Sequence, residues 1–172
     1  MQHADISREF NLQCRALLDQ SLQKIVHCLE QIEEHHLWYR PVRDLNSIGN
    51  LLLHINGNLR QWAIASLTGG TDVRQRDREF LQNAQGTVNE LLDLTVETVS
   101  EATVVIASIP ADRLLDRVVI QGFDVSVMQA VMHTTTHFQG HTHQIIMLTR
   151  WQLGERYRYH WTPDSVGRDL PM

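Results

Sequence analysis

The chain has 172 residues, with 15 lysines and arginines against 20 aspartates and glutamates and a formal net charge of −5. This length suits one domain with its own hydrophobic core, and an apolar fraction of 42 % with 20 % charged residues is typical of a soluble globular protein. The acidic balance argues against a general nucleic-acid binder, which needs basic side chains to displace the counterions of the phosphates.

The sequence predicts neither a membrane span nor a secretory signal, because it has no run of 18 apolar residues and no basic region followed by an apolar one at its start. Cys14 and Cys28 lie on one predicted helix, about 21 Å apart along its axis, too far for a disulfide. Free thiols fit a reducing cytoplasm, and both residues are interpreted as members of the core. We therefore expect a cytoplasmic protein.

The first helix is predicted from Ser7 to Ile32. Apolar residues recur there at every third or fourth position, as a single buried stripe requires. A polar end follows, and Pro41 prevents the helix from continuing unbroken through the connection 37–41.

The second helix is predicted to begin at Asn46 or Ser47, either of which can cap the free amides of the first turn. Gly69 and Gly70 end it with a turn. His54 lies about 100° from the centre of the apolar face of this helix. Such a flank position suits a side chain that points into a cavity between helices, and it suits an exposed one equally.

Residues 71–86 are charged and amide-rich with little periodicity, and we interpret them as a connecting excursion with at most a short helical turn. The third helix is predicted from Thr87 to Ser108, with Pro110 marking its end. A short β-prone link at Arg117 to Gln121 follows.

The fourth helix is predicted from Ser126, which has capping-box spacing to Gln129, to about Trp151, and Gly154 closes it. Residues 155–172 form a C-terminal tail that we expect to pack over one end of the bundle or across a partner subunit. Its three large aromatic residues are Tyr157, Tyr159 and Trp161. Four long amphipathic stripes predict an all-α four-helix bundle, with residues 1–172 forming a single domain.

Four histidines lie within eleven residues of the fourth helix. Three of them, His133, His137 and His141, are spaced by four and form a column on one helix face, whereas His143 points about 120° away. Two imidazoles on adjacent turns can bind one metal ion, but a third ligand must come from another helix. His54 is the candidate that its context favours.

Two polar residues accompany these histidines. Gln144 lies one turn beyond His141, where it can hydrogen-bond a ligand ring or simply pack, and Asn58 lies one turn beyond His54. No carboxylate is clearly placed as a general base.

The order LLLH at His54 followed late in the chain by HFQGHTHQI, together with Arg40 and Pro41 before the second helix, resembles the DinB-like superfamily of four-helix proteins, including the YfiT-type metal-dependent hydrolases. The resemblance covers Ser7 to Leu153. It implies a divalent ion, nickel or zinc, bound by three histidines, and a homodimer. The matching ligand positions are His54, His137 and His141, with His133 only nearby.

Members with similar ligands include bacterial thiol transferases and a thiol-dependent maleylpyruvate isomerase. Members often have a second histidine beside the last ligand, where this chain has Gly140. The resemblance thus implies a metal-dependent thiol S-transferase or hydrolase acting on a small molecule, with a low-molecular-weight thiol as a candidate substrate.

Two further hypotheses belong to other classes. The chain can be a non-enzymatic bundle that dimerises or binds small molecules with a vestigial site. A di-iron carboxylate bundle is rejected, because it requires Glu-x-x-His spacing on two helices and only Glu33 and His36 show it.

Overall fold

The computed structural model describes residues 2–81 and 85–160, with the side chains described from residue 5 onward. Its α-helices are α1 Gln2–Leu29, α2 Glu34–Leu37, α3 Ile48–Leu59, α4 Ser66–Thr68, α5 Val88–Ser108 and α6 Val127–Leu153. A π-helical segment, Arg60–Ala65, joins α3 to α4, so that three segments form one rod. The 3-10 helices are Arg76–Phe80, Ala111–Arg113 and Gly154–Arg156, and the strands are β1 Arg117–Ile120 and β2 Phe123–Ser126.

The four long rods confirm the predicted all-α bundle. α1 packs against α5 and α6, and α3 packs against the same two helices from the other side. Their apolar stripes meet in a core of fully buried side chains, among them Leu18, Ile55, Ile106 and Phe138. This mutual burial removes the four stripes from water and stabilises the bundle.

The predicted starts of the second and fourth helices are observed with their caps, whereas α1 begins at Gln2 and not at the predicted Ser7. Ser47 Oγ accepts from the Asn50 amide at 3.1 Å. Ser126 Oγ accepts from the Gln129 amide at 3.1 Å, while Gln129 Oε1 accepts from the Ser126 amide at 2.8 Å. The predicted end of the first helix at Ile32 is three residues late, because α1 ends at Leu29.

Glu33 and His36, which have the spacing of a di-iron ligand motif, have a local structural role. The Glu33 amide donates to His36 Nδ1 at 3.0 Å and closes a capping box at the start of α2. Cys14 and Cys28 are free, buried thiols whose pKa values are raised by burial, in keeping with core positions.

A two-stranded antiparallel hairpin precedes α6, with Arg117 opposite Ser126 and Ile120 opposite Phe123. The sequence predicts the first strand only. The turn residues Gln121 and Gly122 have φ values of 54° and 83°, as two-residue hairpin turns require. The hairpin brings the Gln121 side chain back to the rod that contains α3.

The tail is described as far as residue 160. It lies on the C-terminal end of α1, where the Arg158 amide donates to Gln31 Oε1 at 2.7 Å and a His27 ring nitrogen lies 2.6 Å from the Arg158 carbonyl oxygen. The predicted role of Trp161 and the residues after it lies outside the described residues. Across residues 2–81 and 85–160, the helices are too short or too polar to cross a bilayer.

Candidate metal centre

His54, His137 and His141 converge on one point between α3 and α6, and we call these three residues the histidine triad. The Nε2 atoms of His54 and His137 are 3.1 Å apart, and those of His137 and His141 are 3.2 Å apart. One ligand nitrogen from each ring lies within 4.8 Å of the others. His54 is buried and the other two rings are half-buried, so the triad lies at the edge of the core.

The helix pair that presents the triad is joined by a buried hydrogen bond. Thr134 Oγ1, on α6, donates to Asn58 Oδ1, on α3, at 2.7 Å. Each partner lies about one turn from the triad residue on its own helix, so the bond sets the relative position of the two faces. His54, on the flank of its helix, therefore faces α6. Asn58 joins α3 to α6 by accepting this hydrogen bond from Thr134.

The second ring nitrogens have different surroundings. His54 Nδ1 lies 2.8 Å from Glu79 Oε2, and His141 Nδ1 lies 2.9 Å from Oε1 of the exposed Gln144. His137 Nδ1 is buried and has no hydrogen-bond partner among the described residues. Partners on the outer nitrogens orient imidazoles whose inner nitrogens bind a metal.

His133 and His143, the other two histidines of α6, lie apart from the triad. His133 is exposed and stacks on Trp62, with ring centroids 4.1 Å apart, while its ring is 5.6 Å from that of His137. His143 lines a surface cavity. The Phe80 ring packs on the His54 ring, with centroids 4.8 Å apart, and shields that side of the imidazole.

Burial and the neighbouring imidazoles lower the pKa of His137 to about 3. Burial also lowers the pKa of His141. Both rings are therefore neutral at pH 7, and neutral imidazole is the form that binds a divalent ion.

The donor set fits such an ion. Ligand nitrogens at zinc distances of 2.0–2.1 Å in a tetrahedral shell are about 3.3 Å apart. The Nε2 separations of 3.1 Å between His54 and His137 and 3.2 Å between His137 and His141 are close to this value, and the ligand atoms of the third pair lie within 4.8 Å of each other. Three imidazole ligands leave a coordination position open, which is the arrangement of catalytic sites and not of closed structural ones.

Sequence reasoning missed Arg74 and Glu79, two residues with buried side chains in the excursion after α4. Glu79 is 8 % exposed, and its two oxygens accept from Arg74 Nε at 2.7 Å and Arg74 Nη2 at 2.9 Å. Burial alone would raise the pKa of Glu79, but the hydrogen bonds from Arg74 and His54 outweigh burial and hold that pKa below its usual value. Nothing in the local pattern distinguishes Glu79 from the exposed Asp77, because neither belongs to a periodic stripe.

Comparisons with known proteins place the chain among proteins of this architecture. A family model described as a protein of unknown function, DUF1572, matches residues 5–164. A comparison with curated proteins finds no match.

Two solved structures of DinB-like proteins are similar to it. The one from Bacillus cereus is 14 % identical, with 83 % of this chain and 90 % of that chain covered and a TM-score of 0.65. The one from Bacillus subtilis is also 14 % identical, with 88 % and 99 % covered and a TM-score of 0.65. The fold is that of DinB-like proteins, as the sequence resemblance predicted.

Proposed function

Because the chain belongs to the DUF1572 family and has the DinB-like fold, we propose that it is a metal-dependent enzyme acting on a small molecule through the histidine triad. The observation that carries this proposal is the convergence of three Nε2 atoms, with two separations of 3.1 and 3.2 Å. Three imidazoles from two helices meet at the edge of the core. They provide the ligands of a nickel or zinc ion.

Each triad residue has a defined part in this proposal. His54, His137 and His141 hold the ion through Nε2, and the ion, when bound, lowers the pKa of a water or thiol so that it becomes a nucleophile near neutral pH. The half-buried rings of His137 and His141 leave the site reachable from solvent. Phe80 packs on the His54 ring and limits the access of water on that side.

The reaction classes proposed are thiol S-transfer, in which a low-molecular-weight thiol is joined to an electrophile, and hydrolysis. Both follow from one open coordination position, and they differ in the group that occupies it. A screen with zinc-loaded and nickel-loaded protein separates them, because a transferase consumes thiol in step with the electrophile whereas a hydrolase turns over without thiol.

Metal analysis tests the site itself. We expect purified protein to bind about one divalent ion per chain, and the double variant His137→Ala, His141→Ala to bind none while keeping its helical circular dichroism spectrum. His143→Ala is the matched control, because it removes an exposed imidazole from the same helix. Stoichiometric metal in the double variant would refute the ligand assignment, and a wild type without metal or turnover would favour the non-enzymatic bundle.

A homodimer in solution and a cytoplasmic location complete the proposal. Light scattering on the purified protein measures the mass of the assembly, and fractionation of cells measures the location. A monomer at micromolar concentration would contradict the first part, and recovery in a membrane or extracellular fraction would contradict the second.

A further inference from the structure

A buried ion pair lies directly behind the triad. The side chains of Arg74 and Glu79 are 4 % and 9 % exposed, and two Arg74 nitrogens donate to the two Glu79 oxygens at 2.7 and 2.9 Å. Such a bidentate, charge-assisted pair keeps the carboxylate ionised in its buried setting. An ionised carboxylate has no proton to donate, so Glu79 can only accept hydrogen bonds.

This restriction decides where the proton of His54 lies. Glu79 Oε2 is 2.8 Å from His54 Nδ1, so Nδ1 must carry the hydrogen if the contact is to be favourable. A neutral imidazole has one N–H, and Nε2 is then left with a lone pair directed at His137. The alternative has Arg74 Nη2, 3.2 Å away, donating to a bare Nδ1, but this would set a lone pair against the Glu79 carboxylate at the shorter distance.

We propose that Glu79 is a positioning residue for His54, and that Arg74 holds Glu79 in place so that the Nε2 lone pair of His54 always faces the other two imidazoles. The part of this inference that concerns metal affinity rests on the proposed function. The part that concerns the tautomer of His54 stands on the hydrogen bonds alone.

The surroundings of the pair support a built arrangement. Gly57 follows His54 by three residues on α3, and a Cβ there would collide with Glu79 Oε1 and lie 2.9 Å from Arg74 Nε. The glycine therefore permits the close approach of the ion pair to the helix. On its other side, Arg74 Nη1 donates to Gln61 Oε1 at 2.9 Å, and Gln121 of the hairpin donates to the same oxygen at 2.6 Å.

The partner of His141 provides an internal comparison. Gln144 is exposed, so water can replace its hydrogen bond to His141 Nδ1 when the side chain is removed. The Glu79 side chain is only 9 % exposed, so water replaces its hydrogen bond less readily. The two partners should therefore differ in their effect on the metal, although each contacts the outer nitrogen of one triad ring.

The first measurement is zinc affinity, by competition with a chromophoric chelator. Glu79→Gln alone would leave the Arg74 charge buried without a counter-charge, so the informative variant is the double change Arg74→Gln, Glu79→Gln. We expect its zinc affinity to fall about 10- to 100-fold, the usual effect of losing such a partner. The matched control is the double change Arg117→Gln, Asp124→Gln, which removes an exposed ion pair from the hairpin and should leave the zinc affinity as in wild type. Unchanged affinity in a folded double variant would overturn the role of the pair.

The second measurement is the tautomer of His54 in the metal-free protein, read from the ring nitrogen shifts by NMR at pH 7.5. We expect the Nδ1–H form in wild type and a mixture of tautomers in the double variant. An Nε2–H form in wild type would overturn the inference even if no variant folds. A wild type that binds no zinc would instead remove the proposed function, while the tautomer would still decide the role of Glu79.

Discussion

Acidification of the metal-free protein should reveal the burial of His137. The pKa of this residue is about 3 in the folded chain, against about 6.5 for an unfolded histidine. Between these values the unfolded chain binds a proton that the folded chain does not, so the free energy of unfolding falls as the pH falls. Above pH 6.5 the residue is neutral in both states and contributes no pH dependence.

The size of the effect follows from the interval that is crossed. Each pH unit below 6.5 costs about 1.4 kcal/mol until the folded pKa is reached, so that pH 5 costs about 2 kcal/mol relative to pH 8. Glu79 acts in the same direction at lower pH, because its lowered pKa gives stability that is lost as the pH falls through the folded value. The lowered pKa values of His133 and His141 act in the same direction as well, so a variant is needed to separate the contribution of His137.

The assay is urea unfolding at pH 8 and pH 5 in the presence of a chelator. His137→Gln, which carries no titrating ring, should reduce the difference between the two pH values by about 2 kcal/mol. His143→Gln, at an exposed position of α6, should leave the difference as in wild type. If wild type and His137→Gln lose the same stability between pH 8 and pH 5, the argument from burial is wrong.

Other substitutions test the packing that supports the site. Thr134→Val leaves the buried Asn58 Oδ1 without its donor and should cost about 1–3 kcal/mol in chemical unfolding, and wild-type stability would contradict the role of this bond. Gly49→Ala places a Cβ 2.5 Å from the Trp38 ring and should cost about 1–3 kcal/mol. Gly140→Ala has open space around the new Cβ within α6 and should stabilise the protein by about 1 kcal/mol. A higher melting temperature for Gly49→Ala than for Gly140→Ala would contradict both expectations.

Local physics explains how much of the fold was predictable. Apolar periodicity marked the four long rods, and the serine caps at Ser47 and Ser126 marked two of their starts, because helix geometry depends on residues within a few positions of each other. The π-helical segment Arg60–Ala65 left no sequence pattern, and neither did the second strand of the hairpin. The π-helical segment packs on α5 and α6, which are distant in sequence, whereas the second strand is held by its pairing with the first.

The column of imidazoles on α6 is a property of the sequence, since a spacing of four stacks side chains on any helix. Packing decided which of them converge. His133 stacks on Trp62, while His137 and His141 face His54 across the interface with α3. The sequence alone did not decide whether His54 points between the helices or into solvent.

Glu79 and Arg74 belong wholly to the tertiary structure. They lie in a polar segment without periodicity. That segment packs against α3 at Gly57, and this contact places the two side chains next to His54. Helical order is encoded by near neighbours, so the chain by itself determined its rods and the spacing of its imidazoles. The partner of His54 Nδ1 and the convergence of the three rings depend on how distant segments pack, and only the tertiary structure decided them.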